Sequence, residues 1–589
     1  MLGFVACLAF GAGTLDCASA FAGQSVTSVD ILVVGGDEAA CAAAVQAARL
    51  GVARIALVSD CAMLGGQFSA QGVGPVDERV MVDGQSVNFP RSGMALEVID
   101  AIRAYNLATY GRASPGNCWS ATETIEPRPA AAIFESLLAP YAESGTRQIA
   151  IWRDLRPIRV LKHGDRISGV VFSGGLEVRA RLVIDASDWG DVIRLGGIRH
   201  FSGSDGNPQE MNPITWTVTL RETGRFRPIR KPTGYEKARY AIGDIWKECG
   251  IFRCPYPPGI HATPYTQRRL LDRRHYGLNA CETIQLNTTC QDYPLCDLPP
   301  DVAAALEAVE PGASRKNIVE MSPEERAVIF DYAKRHTLGY LYFLQHDNPA
   351  TTNRMGRFEI LDDYDTSDGL PPKPYIREGL RLAALHVLGE DEVKAAKPNR
   401  PVWAKCPYDA AFGFQFHIDF HPTRRVFPNP ANSNVWRCVH TAERGWSAGT
   451  DRAFFPLRGF VPESAEGLLG AGKNIGVSSP VQAALRLHPQ MMLSGQCAAT
   501  LAAKALETRR SPREIVCDRS AVAVIQETLV RGVAGKPGIA IWAWQDLHPE
   551  DPEFVQANIP VVRPAPSPAR GFRWRASRVE QRGRAAELP

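Results

Sequence analysis

Four side chains stand out as able to move protons or hold negative charge. His488 and Arg486 lie two residues apart, directly ahead of an Ala-rich stretch, Gln490 to Glu507, that reads as a helix. His421, close to Asp419, and Arg377 lie further upstream. Imidazole exchanges protons near neutral pH, and guanidinium is a fixed cation that grips carboxylates and developing negative charge. These residues are therefore the candidate acid/base and electrophilic groups. They also suit structural work, with Arg486 and Arg377 bridging carboxylates and the pairs His421-Pro422 and His488-Pro489 shaping turns. Cys118 has no cation nearby in sequence to activate a thiolate and reads as core packing.

A second concentration of chemistry lies near the N-terminus. Ile31 to Val34 is a short continuous apolar run, as a buried parallel strand requires. Gly35-Gly36 breaks it. Ala39 to Leu50 lacks Pro and Gly and is predicted helical, Gly51 closes that helix, and Arg54 to Val58 is a second buried strand. Strand, glycine turn, helix and strand form the unit that binds dinucleotides. Its glycines permit a tight turn and close approach of a pyrophosphate, and the helix N-terminus offers N–H groups to the phosphates. The string Gly35-Gly36-Asp37-Glu38-Ala39-Ala40 keeps the first glycine of GxGxxG, with Asp37 at the second and Ala40 at the third. Ser59, followed by Asp60, stands where an acidic residue would meet a ribose.

The continuation carries a resemblance. Leu64-Gly65-Gly66-Gln67 and Gln71-Gly72-Val73-Gly74-Pro75-Val76-Asp77-Glu78 are similar to the loop after the second strand in the broad family of FAD-dependent oxidoreductases. Further strings recur in the family's order: Pro115 to Trp119 and Glu126-Pro127-Arg128; Arg181 to Ser187 with Gly190-Asp191; Pro374 to Glu378; Ile418 to Pro422; Pro456 to Pro462; Gly472 to Gly476; Arg486 to Pro489; Gly495 to Ala499; and Trp542 to Pro552. The likeness spans about residues 29 to 555. It implies FAD as cofactor, held by Gly35, Gly36, Ala39, Ala40, Ser59, Asp60, Gly65, Gly66, Gln67, Asp185, Ala186, Gly190, Asp191, Gly472, Lys473, Asn474, Gly495 and Ala498. It also implies that Ser494-Gly495 opens the helix facing the flavin, with small residues at Gly495, Ala498 and Ala499 letting the ring approach the backbone.

The expected architecture is an α/β, Rossmann-like FAD-binding domain with a parallel sheet and a β-meander, plus an inserted α+β substrate domain. The meander is read at Ile167 to Phe172 and Glu177 to Ile184, turned by Ser173-Gly174-Gly175. The expected divisions are a candidate signal peptide at 1–22, FAD-binding segments at 29–200 and 451–510, a substrate domain at 201–450, a helical extension at 511–560 and a disordered tail at 561–589. Met1 to Gly13 are apolar and small, and residues 18–22 offer small-residue cleavage sites, but residues 1–22 hold no Lys or Arg. Their removal would place the protein in the periplasm or outside the cell, and otherwise it is expected in the cytoplasm.

The 589 residues are 45% hydrophobic and 22% charged, enough apolar surface for a sizeable core. A formal net charge of +3 argues against nucleic acid as partner, and no apolar stretch is long enough to span a membrane. The 14 cysteines form no CxxC pair, so no metal site is expected. Cys249, Cys254, Cys281, Cys290 and Cys296 are read as buried free thiols, with disulfides as the alternative if the chain is exported. No second glycine-rich turn follows, so no dedicated NAD(P)H-binding domain is expected. The leading function is hydride or electron transfer between bound FAD and a small organic substrate, with an unknown electron acceptor or donor. Alternatives are a flavin monooxygenase or halogenase-like enzyme, a non-catalytic member that has lost FAD, for which Asp37 and Ser59 speak, and a secreted carbohydrate-processing protein, for which no carboxylate pair argues.

Overall fold

The computed structural model describes residues 25–82, 85–142, 147–204, 207–241, 263–395, 403–429, 432–439, 449–542 and 547–558. The expectations for residues 1–22 and 561–589, and for Cys249 and Cys254, lie outside them.

The N-terminal unit is strand Ser25–Val34, helix Glu38–Arg49 and strand Ile55–Val58. Ser25–Val34 pairs in parallel with Ile55–Val58 on one side and Leu176–Asp185 on the other. Ile149–Trp152 extends the sheet beyond Ile55–Val58, and Leu468–Gly470 extends it beyond Leu176–Asp185, both in parallel. Arg166–Phe172 and Pro157–His163 add antiparallel to complete seven strands. The long strand Leu176–Asp185 serves both arrangements. Its first six residues alternate between buried and more open positions where the meander pairs, and Leu182 to Asp185 are fully buried where the sheet is covered on both faces.

Helix Glu38–Arg49 lies against helix His488–Thr508. Ala39, Ala42, Ala43, Ala498, Ala499 and Ala502 are fully buried in one core. Such small side chains let two helix backbones come close. At Gly495 an added Cβ would overlap the Ala39 carbonyl. This corrects the sequence reading: Ser494 and Gly495 lie within the helix, which begins at His488 with Pro489 in its first turn. A glycine inside an Ala-rich run resembles a helix start in sequence, whereas here it answers a helix crossing.

The middle of the chain builds a second layer. A four-stranded antiparallel sheet runs in the order Arg269–Leu271, Thr283–Leu286, Val218–Glu222, Phe358–Ile360. Helix Pro323–Tyr342 begins with a capping box made by Ser322 and Glu325. Ala410–Phe414 pairs with Ala453–Pro456, and Phe412, Phe414 and Phe455 join the core beneath helix His488–Thr508. Helices Pro512–Val516 and Arg519–Arg531 follow. Cys290 is disulfide-bonded, while Cys281 and Cys296 are free thiols. The free-thiol reading thus fails at Cys290, because sequence spacing does not reveal which sulfurs come within bonding reach. Among the described residues no helix is long and apolar enough to cross a membrane.

Because Gly495 faces backbone rather than a movable side chain, Gly495→Ala is expected to destabilise the protein by about 1–3 kcal/mol through overpacking. Urea denaturation measures this, and an unchanged midpoint would show that the helices can separate freely.

Candidate functional site

The glycine turn lies at the carboxyl edge of the parallel sheet. Gly35 has φ +130°, and a Cβ there would strike the Ala186 carbonyl. Only glycine permits this approach between the first strand's end and the returning strand. At Gly36 a Cβ would strike the Ser59 hydroxyl, which bonds the backbone of Cys61. Ser59 therefore braces the turn. Asp60 is exposed, and one of its carboxylate oxygens lies 2.5 Å from Lys373 Nζ.

Asp37 caps helix Glu38–Arg49, its Oδ1 accepting from the Ala40 N–H at 2.8 Å. Its Oδ2 is buried without a hydrogen-bond partner. Burial pushes the Asp37 carboxyl up to about 6, against the pull of Lys473. Glu38 is fully buried and accepts from the Gln67 N–H at 3.1 Å and from Gln67 Nε2 at 2.8 Å. Burial, then the neighbouring Asp37, pushes Glu38 up to about 8. Gln67 Nε2 also donates to the Arg486 carbonyl at 2.9 Å, tying the turn to the residue ahead of the last long helix.

Asp188 anchors the other side. It accepts from Gln71 Nε2 at 2.7 Å, Lys373 Nζ at 2.8 Å and Lys473 Nζ at 3.1 Å. Burial works against its charge, but the two lysines outweigh burial and hold its carboxyl well below the usual range. The same partnership keeps Lys473 charged although its side chain is fully buried. Asp185 accepts from Ser187 and from the Ile193 N–H at 2.9 Å, so it fastens the strand's end to the following helix. Asp191 pairs with Arg194 and Arg326. Asn474 donates to the Ser187 carbonyl at 2.6 Å, and its Oδ1 has no hydrogen-bond partner. Gly472 donates to the Ser494 hydroxyl at 2.9 Å. Gly65 sits against Phe134, Gly66 against Asp37 and Glu38, and Gly190 against Leu380.

Three of the four candidate catalytic residues meet in one network. Arg377 pairs with Asp292 at 3.0 Å and donates to Thr215. His421 lies between Asp292 at 2.6 Å from Nδ1 and Asp419 at 3.2 Å from Nε2. Arg486 pairs with Asp419 at 2.8 Å and donates to the Tyr375 hydroxyl. Burial opposes ionisation of both carboxyls, yet Arg377 and His421 keep Asp292 low, and His421, His417 and Arg486 keep Asp419 well below its ordinary value. The side chains of Asp419 and His417 are 27% and 43% exposed, so the network opens to solvent on that side. His488 stands apart. Its ring lies on Phe68, and its Nε2 is 2.9 Å from the Val73 carbonyl. Burial lowers His488 to about 3, which keeps the imidazole neutral at physiological pH. Sequence reasoning missed Asp188, Asp292 and Lys373. Glu38, Gln71 and Tyr375 stand inside the motif strings, but nothing in those strings marks their roles.

The donor set suits a dinucleotide's pyrophosphate. Lys373 and Lys473 supply positive charge beside the turn, whereas Asp37, raised only to about 6, is largely ionised at neutral pH and repels phosphate. The backbone of the glycine turn, Lys473, Asn474 and Gln67 are the residues that would hold FAD. In the present packing both lysines are engaged by Asp188. The described residues contain no group of three or more His, Cys, Asp or Glu side chains placed to hold a metal ion.

Two outcomes follow from the buried acids. Glu38 is raised from 4.5 to about 8, so the folded chain retains a proton that the unfolded chain releases. Its contribution to stability is fullest below pH 4.5 and falls as pH rises toward 8. Glu38→Gln is therefore expected to melt above wild type by a margin at least about 1 kcal/mol larger at high pH than at low pH, with a pH-independent margin counting against a protonated Glu38. Asp37→Gly is expected to tighten FAD binding about tenfold, about 1.4 kcal/mol, in a fluorescence titration at neutral pH. An unchanged affinity would place Asp37 away from the phosphates.

The solved structures that resemble this chain are remote. A geranylgeranyl bacteriochlorophyll reductase-like protein from Thermoplasma acidophilum is 11% identical, with 92% of this chain and 98% of that chain covered and a TM-score of 0.31. A myxobacterial chondrochloren halogenase is 10% identical, with 85% and 79% covered and a TM-score of 0.33. Likeness at this level carries no argument about chemistry. No curated protein matches the chain. The family model described as FAD dependent oxidoreductase matches residues 30–529, and this supports FAD as the cofactor. That match takes in the glycine turn, the Asp188 cluster, the His421 network and the last long helix, and on it the chain belongs to the FAD dependent oxidoreductase family.

Proposed function

We propose that the protein exchanges a hydride or electrons between bound FAD and a small organic substrate, at the network formed by Arg486, Arg377 and His421. The observation that supports this best is the convergence itself. Three residues from distant parts of the chain share two carboxylates, the buried Asp292 and the partly exposed Asp419, and Arg486 reaches the cofactor turn through Gln67. FAD supplies the redox chemistry when bound. Asp292 and Asp419 hold the His421 ring from both nitrogens, so its orientation is set before a substrate arrives. Imidazole is the member of the set suited to passing a proton at neutral pH. Arg486 and Arg377 are preorganised cations, able to neutralise a carboxylate or a developing oxyanion. The opening at Asp419 and His417 gives a polar substrate its approach. The sequence has no second glycine-rich turn, so electrons pass to or from a separate acceptor or donor.

Anaerobic screening of small organic acids, alcohols and amines for loss of the visible flavin absorbance tests this reading. Wild type is expected to bleach with its substrate. His421→Gln is expected to slow bleaching about 10²–10⁴-fold with bound FAD unchanged. An undiminished rate would remove His421 from the chemistry.

A further inference from the structure

The middle layer contains two arginines whose charge is unanswered. Arg425, on strand Arg424–Val426, is buried, and its Nε and one terminal nitrogen have no hydrogen-bond partner. Its other terminal nitrogen donates to the Cys296 carbonyl at 2.9 Å. Arg239, on helix Lys237–Ala241, likewise has two buried nitrogens without a hydrogen-bond partner. Neither guanidinium has an ion-pair partner among the described residues. Adjacent Arg424, by contrast, forms a two-pronged pair with Asp297 at 2.8 and 2.9 Å. Removing an arginine from water normally brings a carboxylate with it, because an uncompensated buried charge is costly.

The two cations share one aromatic enclosure. The Trp436 ring lies 3.8 Å from the Arg239 guanidinium carbon and 4.5 Å from that of Arg425. The Tyr293 ring lies 4.3 Å from Arg425. The His336 ring sits 4.9 Å from Trp436 and 6.1 Å from Tyr293. Trp436 Nε1, the Tyr293 hydroxyl and His336 Nε2 are all buried without hydrogen-bond partners. Ring faces soften the cost of the two charges but satisfy none of these polar atoms. Burial, then Arg239 and Arg425, drives His336 well below its ordinary value, which places both charges on the same imidazole. Tyr240 stacks on His336 and donates to its backbone carbonyl at 2.8 Å. The carboxylate acting on Arg239 and Tyr293 is the exposed Asp301, at a range that forms no ion pair.

We propose that Arg239 and Arg425, with Trp436, Tyr293 and His336, form a binding site for a small oxyanion, a carboxylate or a phosphate, separate from the cofactor turn. Two guanidinium forks with unpartnered nitrogens share this enclosure, and the buried indole N–H adds a further unpartnered donor, which suits an oxyanion. Tyr293 follows Asp292 on the two-residue strand Asp292–Tyr293, and successive strand residues face opposite sides. Asp292 faces Arg377 and His421. An anion held against Tyr293 thus lies one residue from the proposed catalytic network. The inference stands without the redox reading, since it rests on other side chains.

Isothermal titration calorimetry of the full-length protein with inorganic phosphate and, separately, benzoate tests it. Wild type is expected to show saturable binding of at least one probe, with phosphate alone indicating a phosphate ligand and benzoate alone a carboxylate. Arg239→Met combined with Arg425→Met is expected to abolish the binding. Trp436→Phe keeps an aromatic ring and removes one donor; it is expected to weaken binding several-fold and serves as the test should the double variant not fold. Absence of saturable binding to wild type, or an unchanged affinity in Trp436→Phe or the double variant, would overturn the proposal.

Discussion

The buried carboxylate of Asp188 is the contact on which the functional edge of the sheet depends. It draws together Gln71 from the loop after the second strand, Lys373 from the middle of the chain and Lys473 from the loop after the last parallel strand. Each partner would be costly to bury alone. Gathered on one carboxylate, they close the carboxyl end of the parallel strands, the place where open α/β sheets bind their ligands. Asp37 and Glu38 lie in the same dry region and answer it differently: Glu38, raised to about 8, keeps its proton at neutral pH, while Asp37, raised to about 6, gives most of it up. The electrostatic state of the cofactor turn is therefore a balance between two committed lysines and two acids held partly or wholly neutral.

The same logic governs the network beyond the turn. Asp292, fully buried, and Asp419, at the network's solvent edge, remain charged because Arg377, Arg486 and His421 surround them. Gln67 links the two regions, donating both to Glu38 and to the Arg486 carbonyl. A change at the cofactor turn thus has a short covalent and hydrogen-bonded route to the residues proposed to handle substrate.

Much of the scaffold was legible because its signals are local. Continuous apolar runs mark the last four residues of strand Ser25–Val34 and strand Ile55–Val58, and Ala-rich stretches mark the helices Glu38–Arg49 and His488–Thr508. The meander was legible from alternation and a glycine turn. The middle layer was not, since strands of two to five residues such as Ile214–Thr215 and Val218–Glu222 exist through pairing with distant segments. The candidate site divides along the same line. Arg486, Arg377 and His421 were named by type, but what joins them, Asp292 and Tyr375, was not. Lys373 and Lys473 reach Asp188 across 185 and 285 residues of sequence. Gly495 was read as a helix start because sequence does not distinguish a boundary glycine from one at a helix crossing.

FAD held at the Gly35–Ala40 turn is the claim on which the functional reading rests, and the visible absorption spectrum of the purified full-length protein, taken before and after heat denaturation, tests it most directly. Bands of oxidised flavin in the folded protein, with free FAD released on unfolding, are expected. A colourless protein whose spectrum and fluorescence titration show no binding of added FAD would contradict it, and Asp37 and Ser59 would then mark a turn that has given up its cofactor.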